Sequence, residues 1–247
     1  MYAQEQIKPY GENGTKREQV ERMFNKIAHS YDALNHILSL GVDRSWRRSA
    51  VKHVQKHARL TPTCILDVAA GTGDLSILTA RTLHPDKLIG VDISDGMMEI
   101  GRKKAVEQGV GDIVEFQHQD CSAMTFPDGM FDTVVSSFGL RNFQNLDACL
   151  QEIRRVMKDG ATFVAIDLCV PVAFPMKQLF YIYKKAVMPI IGKIISKDDS
   201  AYTYLPSTME AIPQGDDMVR ILQKCGFNHV TFNRLRFGLC ILYQAEK

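Results

Sequence analysis

The residues most suited to chemistry stand in one short stretch, Cys64 to Asp74, with the sequence CILDVAAGTGD. An apolar run ends at Val68, and the residues that follow it are small and include Gly71 and Gly73. The run fits a strand buried on both faces, and the small residues fit a tight turn into a helix. Glycines in such a turn let a ligand approach the backbone, and the next helix offers unpaired N–H groups. The stretch therefore predicts a site for a nucleotide-like group.

A second apolar run, Leu88 to Val91, ends in Asp92. This acid follows the glycines by about 20 residues, the spacing at which this class of fold binds ribose hydroxyls. A dinucleotide fingerprint needs a third Gly or Ala, but Asp74 and Ser76 stand in that region. A carboxylate beside the turn repels a pyrophosphate and suits a ligand with an adenosine, no phosphate and a positive charge. S-adenosylmethionine, with its ammonium and sulfonium groups, is such a ligand.

Further candidate residues follow the predicted strands, because ligands of open α/β sheets bind at the carboxyl ends of the strands. The residues after the first four strands are Gly71, Thr72 and Gly73, then Asp92, then Asp120 and Cys121, and finally Ser136 to Asn142. In this order they suit a methionine moiety, ribose hydroxyls, an adenine ring and the reacting partner. Their joint placement, rather than any single carboxylate, predicts the site.

Alternating strands and helices must position these residues. Strands are predicted near 64–69, 88–92, 113–117, 131–137 and 162–168, and helices near 74–83, 94–108 and 145–158. The alternation predicts a parallel sheet covered by helices on both faces. Asp159-Gly160 is expected to end the third of these helices, because glycine tolerates the left-handed region at a helix terminus.

Other elements flank this core. Residues 1–15 are expected to form a loosely held tail, and two cap helices within 16–58 precede the first strand, one of them over 16–29. After a helix over 216–225, two β-rich runs at 228–234 and 238–245 predict an antiparallel hairpin. The fold class is therefore α/β, with one domain over 16–247 and a mostly parallel seven-stranded sheet that ends in this hairpin.

The composition excludes several classes of function. The 247 residues are 45% hydrophobic and 23% charged, as in soluble globular proteins. Since 30 basic residues are balanced by 28 acidic residues, the chain lacks the large net positive charge that would attract nucleic acid. Six scattered cysteines without a CxxC pair predict buried free thiols in a reducing cytoplasm. Because His53 and His57 lie in a basic segment without an HExxH pattern, no metal site is expected. No secretion signal or membrane span is expected either.

Residues Phe174 to Ile195 form a strongly apolar stretch within an insertion at about 171–213. It is interrupted by Lys177, Lys184, Lys185, Pro189 and Lys193. This pattern predicts a broken amphipathic helix with basic edges. Two interpretations remain open: a lid that faces the core, or a cover for a lipid-like substrate that also touches an anionic bilayer. The second would place the protein at the inner face of the cell membrane.

Three segments carry a resemblance to a known family. They are Tyr31 to Ser39 continuing through Trp46, Asp67 to Asp74, and Ser137 to Asn142. These segments resemble the ubiquinone/menaquinone biosynthesis C-methyltransferases, which are S-adenosylmethionine-dependent methyltransferases with a Rossmann-like fold. Asp43 departs from the family signature, which usually has His, and Asp167 stands where a Glu is usual; we interpret the region around Asp167 as structural.

The resemblance implies transfer of a methyl group from the sulfonium to a ring carbon of a lipophilic, polyprenylated quinol. It assigns cofactor contacts to Thr72, Asp92, Asp120 and Cys121, with Ser137 close to the same pocket. The reaction passes through a phenolate-like anion, so Arg141 is our choice to stabilise the oxyanion and Asn142 to orient the ring. Tyr31, Asp32 and His36 are candidates for the general base, and the choice among them stays open.

Several alternatives also stay open. The acceptor can be a naphthoquinol, a benzoquinol or both, and another apolar small molecule such as a sterol would use the same cofactor loop. A nicotinamide oxidoreductase is disfavoured by Asp74 and Ser76. A non-catalytic scaffold of a quinone-biosynthesis complex is a third possibility. The sequence leaves the oligomeric state undetermined.

Overall fold

The fold was analysed in a computed structural model that describes residues 1–11, 13–187 and 199–247. Its centre is a seven-stranded sheet with the strand order β3-β2-β1-β4-β5-β7-β6. The strands are β1 Cys64–Val68, β2 Lys87–Asp92, β3 Val114–His118, β4 Phe131–Ser137, β5 Met157–Leu168, β6 Asn228–Leu235 and β7 Cys240–Glu246. The first five strands pair in parallel, whereas β7 is antiparallel to both β5 and β6. The predicted fold class is confirmed.

Helices cover both faces of the sheet. They are α1 Ala3–Gln6, α2 Lys16–Leu38, α3 Asp43–His57, α4 Asp74–Leu83, α5 Asp95–Glu107, α6 Leu146–Val156, α7 Met176–Ile182, α8 Asp199–Ala211 and α9 Asp216–Lys224. One core cluster joins α6 and α9 to the sheet, and a second joins α3, α4 and α5 to its other face. Among the described residues, none of these helices has both the length and the apolar character needed to cross a bilayer.

The order of the strands creates the place for a ligand. From β1 the chain moves outward through β2 and β3, and then returns to the other side of β1 with β4. The loops after β1 and β4 therefore diverge and leave a crevice between them, which is where open α/β sheets bind ligands. The residues predicted to form the site follow these two strands and their neighbours β2 and β3.

The boundary between α6 and β5 differs from the prediction. The helix ends at Val156 rather than near residue 158, and Met157 already pairs with Phe131 of β4. Gly160 does not cap the helix but lies inside β5 with a φ of +78°, where the register with β4 shifts. Because a glycine inside a strand accommodates a bulge as readily as a helix end, the local sequence did not distinguish the two.

The N-terminal residues also differ from the loosely held tail that the sequence predicted. Gln4 and Glu5 are buried, and the Tyr2 hydroxyl donates to Asp147 Oδ1 at 2.6 Å. Glu5 Oε1 accepts from the backbone N–H of Leu146 at 2.8 Å. A carboxylate at a helix N-terminus satisfies an unpaired donor and complements the helix dipole. The polar N-terminus is thus fixed to the N-terminal end of α6 by these hydrogen bonds.

The cap helices are longer than predicted. A single helix, α2, continues from Lys16 through the polar residues of the signature to Leu38. Thr15 caps its start, because its side chain accepts from the N–H of Glu18 while Glu18 accepts from the N–H of Thr15. The amphipathic stretch after residue 174 is described only through α7 and a π-helical turn, Tyr183–Val187. Pro189, Lys193 and the rest of that stretch to Ile195 lie outside the described residues.

All six cysteines are free, as the sequence predicted, but only four are buried. Cys64 and Cys121 are half-buried instead. Cys121 Sγ lies 3.0 Å from Cys149 Sγ, and this contact together with burial raises the pKa of the Cys121 thiol well above its usual range.

Asp67 is a buried carboxylate within β1. Its Oδ2 accepts from Ser76 Oγ at 2.6 Å, whereas its Oδ1 has no hydrogen-bond partner. Burial raises the pKa of Asp67 to about 7, and the charge of Asp92 acts in the same direction. A carboxyl whose pKa is raised on folding stabilises the fold fully below its unfolded pKa of about 4. This contribution is lost as the pH rises through about 7.

We therefore expect Asp67→Asn to flatten the pH dependence of stability. The wild type should lose stability as Asp67 ionises, whereas the amide cannot ionise. From pH 5 to pH 8, the free energy of unfolding of the variant should therefore rise by about 3 kcal/mol relative to that of the wild type. Urea unfolding followed by circular dichroism across this range measures the difference. Asp159→Asn is the control, because the Asp159 side chain is 98% exposed. Parallel pH curves for wild type and Asp67→Asn would contradict the assignment.

Candidate active site

The loop after β1 is built from left-handed backbone. Ala69, Gly71 and Gly73 have φ angles of +58°, +55° and +76°. A Cβ on Gly73 would lie 2.5 Å from Phe116 Cζ, so this glycine is required for packing against β3. The N–H of Gly71 donates to Asp92 Oδ2 at 2.8 Å. The glycine loop and the acid after β2 are thus directly joined, as their spacing predicted.

A cavity lies at the carboxyl ends of β1 to β4, and we call it the cofactor cavity. Its wall contains most of the predicted cofactor residues: Gly71, Asp92, Asp120, Cys121 and Ser137. Apolar side chains of Val91, Met97 and Phe143 complete the surface. Two predicted residues do not line it. Gly73 is directed toward Phe116, and the hydroxyl of Thr72 donates to Asp32 Oδ1 at 2.6 Å.

Two carboxylates give the cofactor cavity its charge. Asp92 Oδ1 accepts from the N–H of Ser94 at 2.9 Å, and burial raises the pKa of this carboxyl against the effect of its backbone bonds. Asp120 Oδ2 lies 3.1 Å from Arg17 Nε of α2, and its Oδ1 accepts from Ser122. Carboxylates with free lone pairs on one wall can accept from hydroxyl and amino groups, while the apolar side chains can contact an aromatic ring. The wall therefore fits an adenosine.

Asp74 does not have the role that the sequence predicted. Instead of presenting a free carboxylate to the ligand, it pairs with Lys104 of α5 and lies 3.4 Å from Arg47 of α3. Lys104 Nζ also donates to Asp32 Oδ2 at 2.8 Å. Asp74 is absent from the wall of the cofactor cavity. Its charge is neutralised by two cations from distant segments, which the local sequence around the glycines could not reveal.

Asp43, the residue that departs from the family signature, lies at the start of α3. It is buried, and it accepts from Ser39 Oγ at 2.8 Å and from Arg47 at 2.6 Å, while His36 Nδ1 lies 3.0 Å away. Burial alone would raise the pKa of Asp43, but these hydrogen bonds and the Arg47 charge hold it below its usual value. His36, Asp43 and Asp74 form a cluster of potential metal ligands that Arg47 already bridges.

Arg141 and Asp167 form a buried ion pair at the ends of β4 and β5. Arg141 Nη1 donates to Asp167 Oδ1 at 2.5 Å and to the carbonyl of Phe138 at 2.6 Å, and the N–H of Arg141 donates to Asp167 Oδ2 at 3.1 Å. Burial disfavours the charge, but Asp167 and neighbouring groups raise the pKa of Arg141. Asp167, which the sequence interpretation treated as structural, is therefore the residue that positions Arg141. Its place near the carboxyl end of β5, at the sheet edge where ligands bind, was the signal.

Two more cavities adjoin the cofactor cavity and share lining residues with it. The central cavity is lined by Met23, Phe24, Ile27, Tyr31, Leu34, Asn35, Leu38, Arg141, Asn142, Tyr204 and Leu205. It shares Tyr31 and Asn142 with the cofactor cavity. Beyond it lies the apolar cavity of about 430 Å³, whose walls include Trp46, Phe138, Leu179, Met209 and Phe237. The central and apolar cavities share Arg141 and Asn35.

The five candidate catalytic residues separate into two groups. Arg141, Asn142 and Tyr31 line the central cavity. Asp32 and His36 line none of the three cavities, because their side chains are engaged with Thr72 and Lys104 and with Asp43, respectively. Burial raises the pKa of Tyr31, so its phenol stays protonated at neutral pH. The structure therefore brings together the proposed oxyanion and ring-orienting residues, and it separates them from Asp32 and His36.

Comparisons with known proteins agree with this geometry. The model of the ubiE/COQ5 methyltransferase family matches residues 12–247. A demethylmenaquinone methyltransferase of Bacteroides fragilis is 50% identical over 246 residues, which cover 100% of this chain and 99% of the relative. A ubiquinone/menaquinone biosynthesis C-methyltransferase of Geotalea daltonii is 36% identical and covers 94% of this chain and 97% of its own. A crystal structure of an S-adenosylmethionine-dependent methyltransferase from Aquifex aeolicus shares the fold, with a TM-score of 0.57 and 17% identity over 79% of this chain and 88% of that one.

Proposed function

The chain belongs to the ubiE/COQ5 methyltransferase family, and from this premise we propose that its acceptor is a prenylated naphthoquinol that becomes the methylated menaquinol. Membership makes the chain an S-adenosylmethionine-dependent C-methyltransferase of quinone biosynthesis. The name of the Bacteroides fragilis relative supports the naphthoquinol, whereas the name of the Geotalea daltonii relative also covers benzoquinols.

The observation that carries the proposal is the series of three cavities. A cofactor cavity with carboxylates adjoins a small central cavity beside Arg141, which in turn adjoins a large apolar cavity. A methyl donor, an aromatic ring with an ionisable hydroxyl and an isoprenoid tail need these three environments in this order. Apolar walls favour an apolar tail because its surface leaves water on binding.

Bound S-adenosylmethionine supplies a methyl group on a positively charged sulfur. The sulfur becomes a neutral thioether when the methyl group is transferred. Gly71, Asp92, Asp120, Cys121 and Ser137 would hold this donor, because they form the wall of the cofactor cavity. The acceptor loses a hydroxyl proton, and the ring carbon ortho to that oxygen forms the new bond and then releases its own proton. The residues of the central cavity must therefore align two reactants and stabilise an anion.

Arg141 is suited to stabilise that anion. Asp167 and the Phe138 carbonyl hold its guanidinium in place before the substrate arrives, so little reorganisation is needed as charge develops. An adjacent positive charge also favours ionisation of the quinol hydroxyl. Asn142, whose amide nitrogen donates to the same carbonyl at 3.2 Å, can orient the ring. We propose that Asp32 and His36 support the cap rather than act as the base.

The mouth of the apolar cavity suggests where the acceptor enters. Leu40, Leu179 and Phe237 line this cavity although they are 84%, 52% and 60% exposed, and they come from the α2–α3 loop, α7 and the β6–β7 connection. Exposed Lys177 and Arg236 lie in two of these segments, and exposed Lys185 lies in the π-helical turn that follows α7. Lys184 is less available, because it pairs with Glu210. We propose that this apolar mouth with its basic edge rests on the anionic, cytoplasmic face of a membrane and takes the quinol from it.

The acceptor is tested with labelled methyl donor and two short-tailed acceptors, the demethylated naphthoquinol and the corresponding benzoquinol. We expect label in the naphthoquinol with kcat/KM at least about 10-fold higher than for the benzoquinol, because pocket contacts to even one methylene are worth about 1–3 kcal/mol and a second ring offers more. Mass spectrometry of the product locates the methyl group on carbon. Preferential labelling of the benzoquinol, or of oxygen, would reject the proposal.

Removal of Arg141 should affect turnover but not the binding of the donor. Arg141→Met alone leaves the Asp167 charge buried and unpaired, so the double variant Arg141→Met/Asp167→Asn is used to preserve the fold. We expect kcat to fall about 100- to 1,000-fold, with the Kd for S-adenosylmethionine within about 3-fold of wild type. Arg155→Met, which removes an ion-paired arginine outside the three cavities, is the control. Retained turnover in the double variant would exclude the role of Arg141.

Membrane contact is tested by sedimentation with phosphatidylglycerol vesicles. The triple variant Leu40→Ser/Leu179→Ser/Phe237→Ser should bind the vesicles at least about 10-fold more weakly, because it removes three apolar groups from the contact. Val106→Ser is the control, since Val106 is 71% exposed on α5 away from the mouth. Lys177→Gln/Lys185→Gln should weaken binding to these vesicles but not to neutral phosphatidylcholine. Unchanged sedimentation of the triple variant would remove the proposal.

A further inference from the structure

We propose that Tyr204, on helix α8 of the insertion, binds the second oxygen of the acceptor ring, the one that does not lose its proton to start the reaction. This inference rests on the proposed function and adds a ring-recognition residue that neither the signature segments nor the strand ends contain. Several buried polar atoms of the central cavity lack hydrogen-bond partners, and the Tyr204 hydroxyl is one of them.

Several unpaired polar atoms lie around the central cavity. Leaving a buried donor or acceptor without a partner costs about 1–3 kcal/mol, so native proteins contain few such atoms. In the described part of the chain, Asn35 Nδ2, Arg141 Nε, Asn142 Oδ1 and the Tyr204 hydroxyl are all buried without a partner. All four residues line the central cavity. The simplest source of the missing partners is a ligand with polar groups at its centre.

The four atoms differ in what they can accept or donate. Asn35 Nδ2 and Arg141 Nε are donors, Asn142 Oδ1 is an acceptor, and the Tyr204 hydroxyl can do both. Burial raises the pKa of Tyr204, so the hydroxyl keeps its proton at neutral pH. A quinol that has lost one proton offers an anionic oxygen as acceptor and a remaining hydroxyl as both donor and acceptor. Two ring oxygens therefore match the four protein atoms, whereas a single oxygen leaves part of the set unpaired.

Tyr204 is held rigidly enough to recognise a ligand. Only 4% of the residue is exposed, and it packs against Val20 and Met23 of α2. Lys16 Nζ lies 5.8 Å from the centre of its ring, and the same ammonium donates to the carbonyl of Arg141 at 2.9 Å. Tyr204 and Arg141 are thus connected to one buried cation. A hydroxyl placed by packing on two sides loses little entropy when it forms a hydrogen bond.

The different charges of Arg141 and Tyr204 assign the two oxygens. Arg141 carries the positive charge and is the partner for the oxygen that becomes anionic. Tyr204 is neutral and comes from a different element, so it suits the hydroxyl that stays neutral. The Tyr204 hydroxyl should therefore strengthen the binding of an acceptor with two ring oxygens, but not of one with a single oxygen.

The test is a cycle of two proteins and two ligands. Wild type and Tyr204→Phe are titrated by calorimetry, in the presence of S-adenosylhomocysteine, with a prenylated 1,4-dihydroxynaphthalene and with its analogue that keeps only the hydroxyl next to the methyl-accepting carbon. We expect wild type to bind the diol about 10-fold more tightly than the analogue, and Tyr204→Phe to lose this preference. Binding of the analogue should change less than about 3-fold.

Tyr183→Phe is the matched control. Its hydroxyl already donates to the carbonyl of Leu38 at 2.8 Å, and the residue lines the neighbouring apolar cavity. Its removal should affect both ligands equally. An equal loss for both ligands in Tyr204→Phe, or no loss for either, would overturn the proposal. Because the readout is binding, a failure of methyl transfer by wild type would count against the proposed function and leave the Tyr204 result interpretable.

Discussion

The structure depends on one buried ion pair, Arg141 with Asp167. A buried arginine is expensive unless its charge and hydrogen bonds are satisfied, and here the side chain and the backbone of Arg141 both contact the same carboxylate. The turn that carries Arg141 is fixed in the same way, because the N–H of Phe138 donates to Ile166 of β5 at 2.7 Å although Phe138 has a φ of +61°. Lys16 of the cap binds the Arg141 carbonyl. Contacts from two strands and the cap thus meet at Arg141.

A second group of charges closes the cap over the glycine loop. Asp32 on α2 accepts from Thr72 in the loop and from Lys104 on α5, and Lys104 and Arg47 both neutralise Asp74. Partly buried pairs of this kind hold segments in register rather than supply large net stability. We propose that Asp32 and His36 of the N-terminal signature keep α2 and α3 above the cofactor cavity, whereas Tyr31 lines the central cavity.

These two charged groups leave the interior between them for the substrates. The polar residues of the central cavity are Tyr31, Asn35, Arg141, Asn142 and Tyr204. The neighbouring apolar cavity is lined mostly by hydrocarbon and aromatic side chains. A wall of this kind binds a ligand by burying its apolar area and orients the ligand through a few hydrogen bonds. The same division explains why the insertion contributes both a polar residue, Tyr204, and the apolar residues of α7.

The sequence by itself determined the elements and one edge of the site. Strand positions, the parallel sheet, the final hairpin and the glycine–Asp92 pairing all follow from short-range patterns of apolar residues and glycines, because buried strands and tight turns need particular residues within a few positions of each other. Gly160 shows the limit of this local information, since the same residue fits a helix end or a strand bulge.

Only the tertiary structure decided the charged partners. The pairs Arg141–Asp167, Lys104–Asp32 and Lys104–Asp74 join residues that are 26, 72 and 30 positions apart in the chain. Nothing in the neighbourhood of Asp74 or Asp32 shows that a cation from another helix neutralises it, so a carboxylate that suggests ligand binding or catalysis becomes a structural contact. Tyr204 likewise lines the central cavity because α8 packs against remote parts of the chain. Electrostatic energy depends on distance in space and on burial, and both are set by the packing of remote elements.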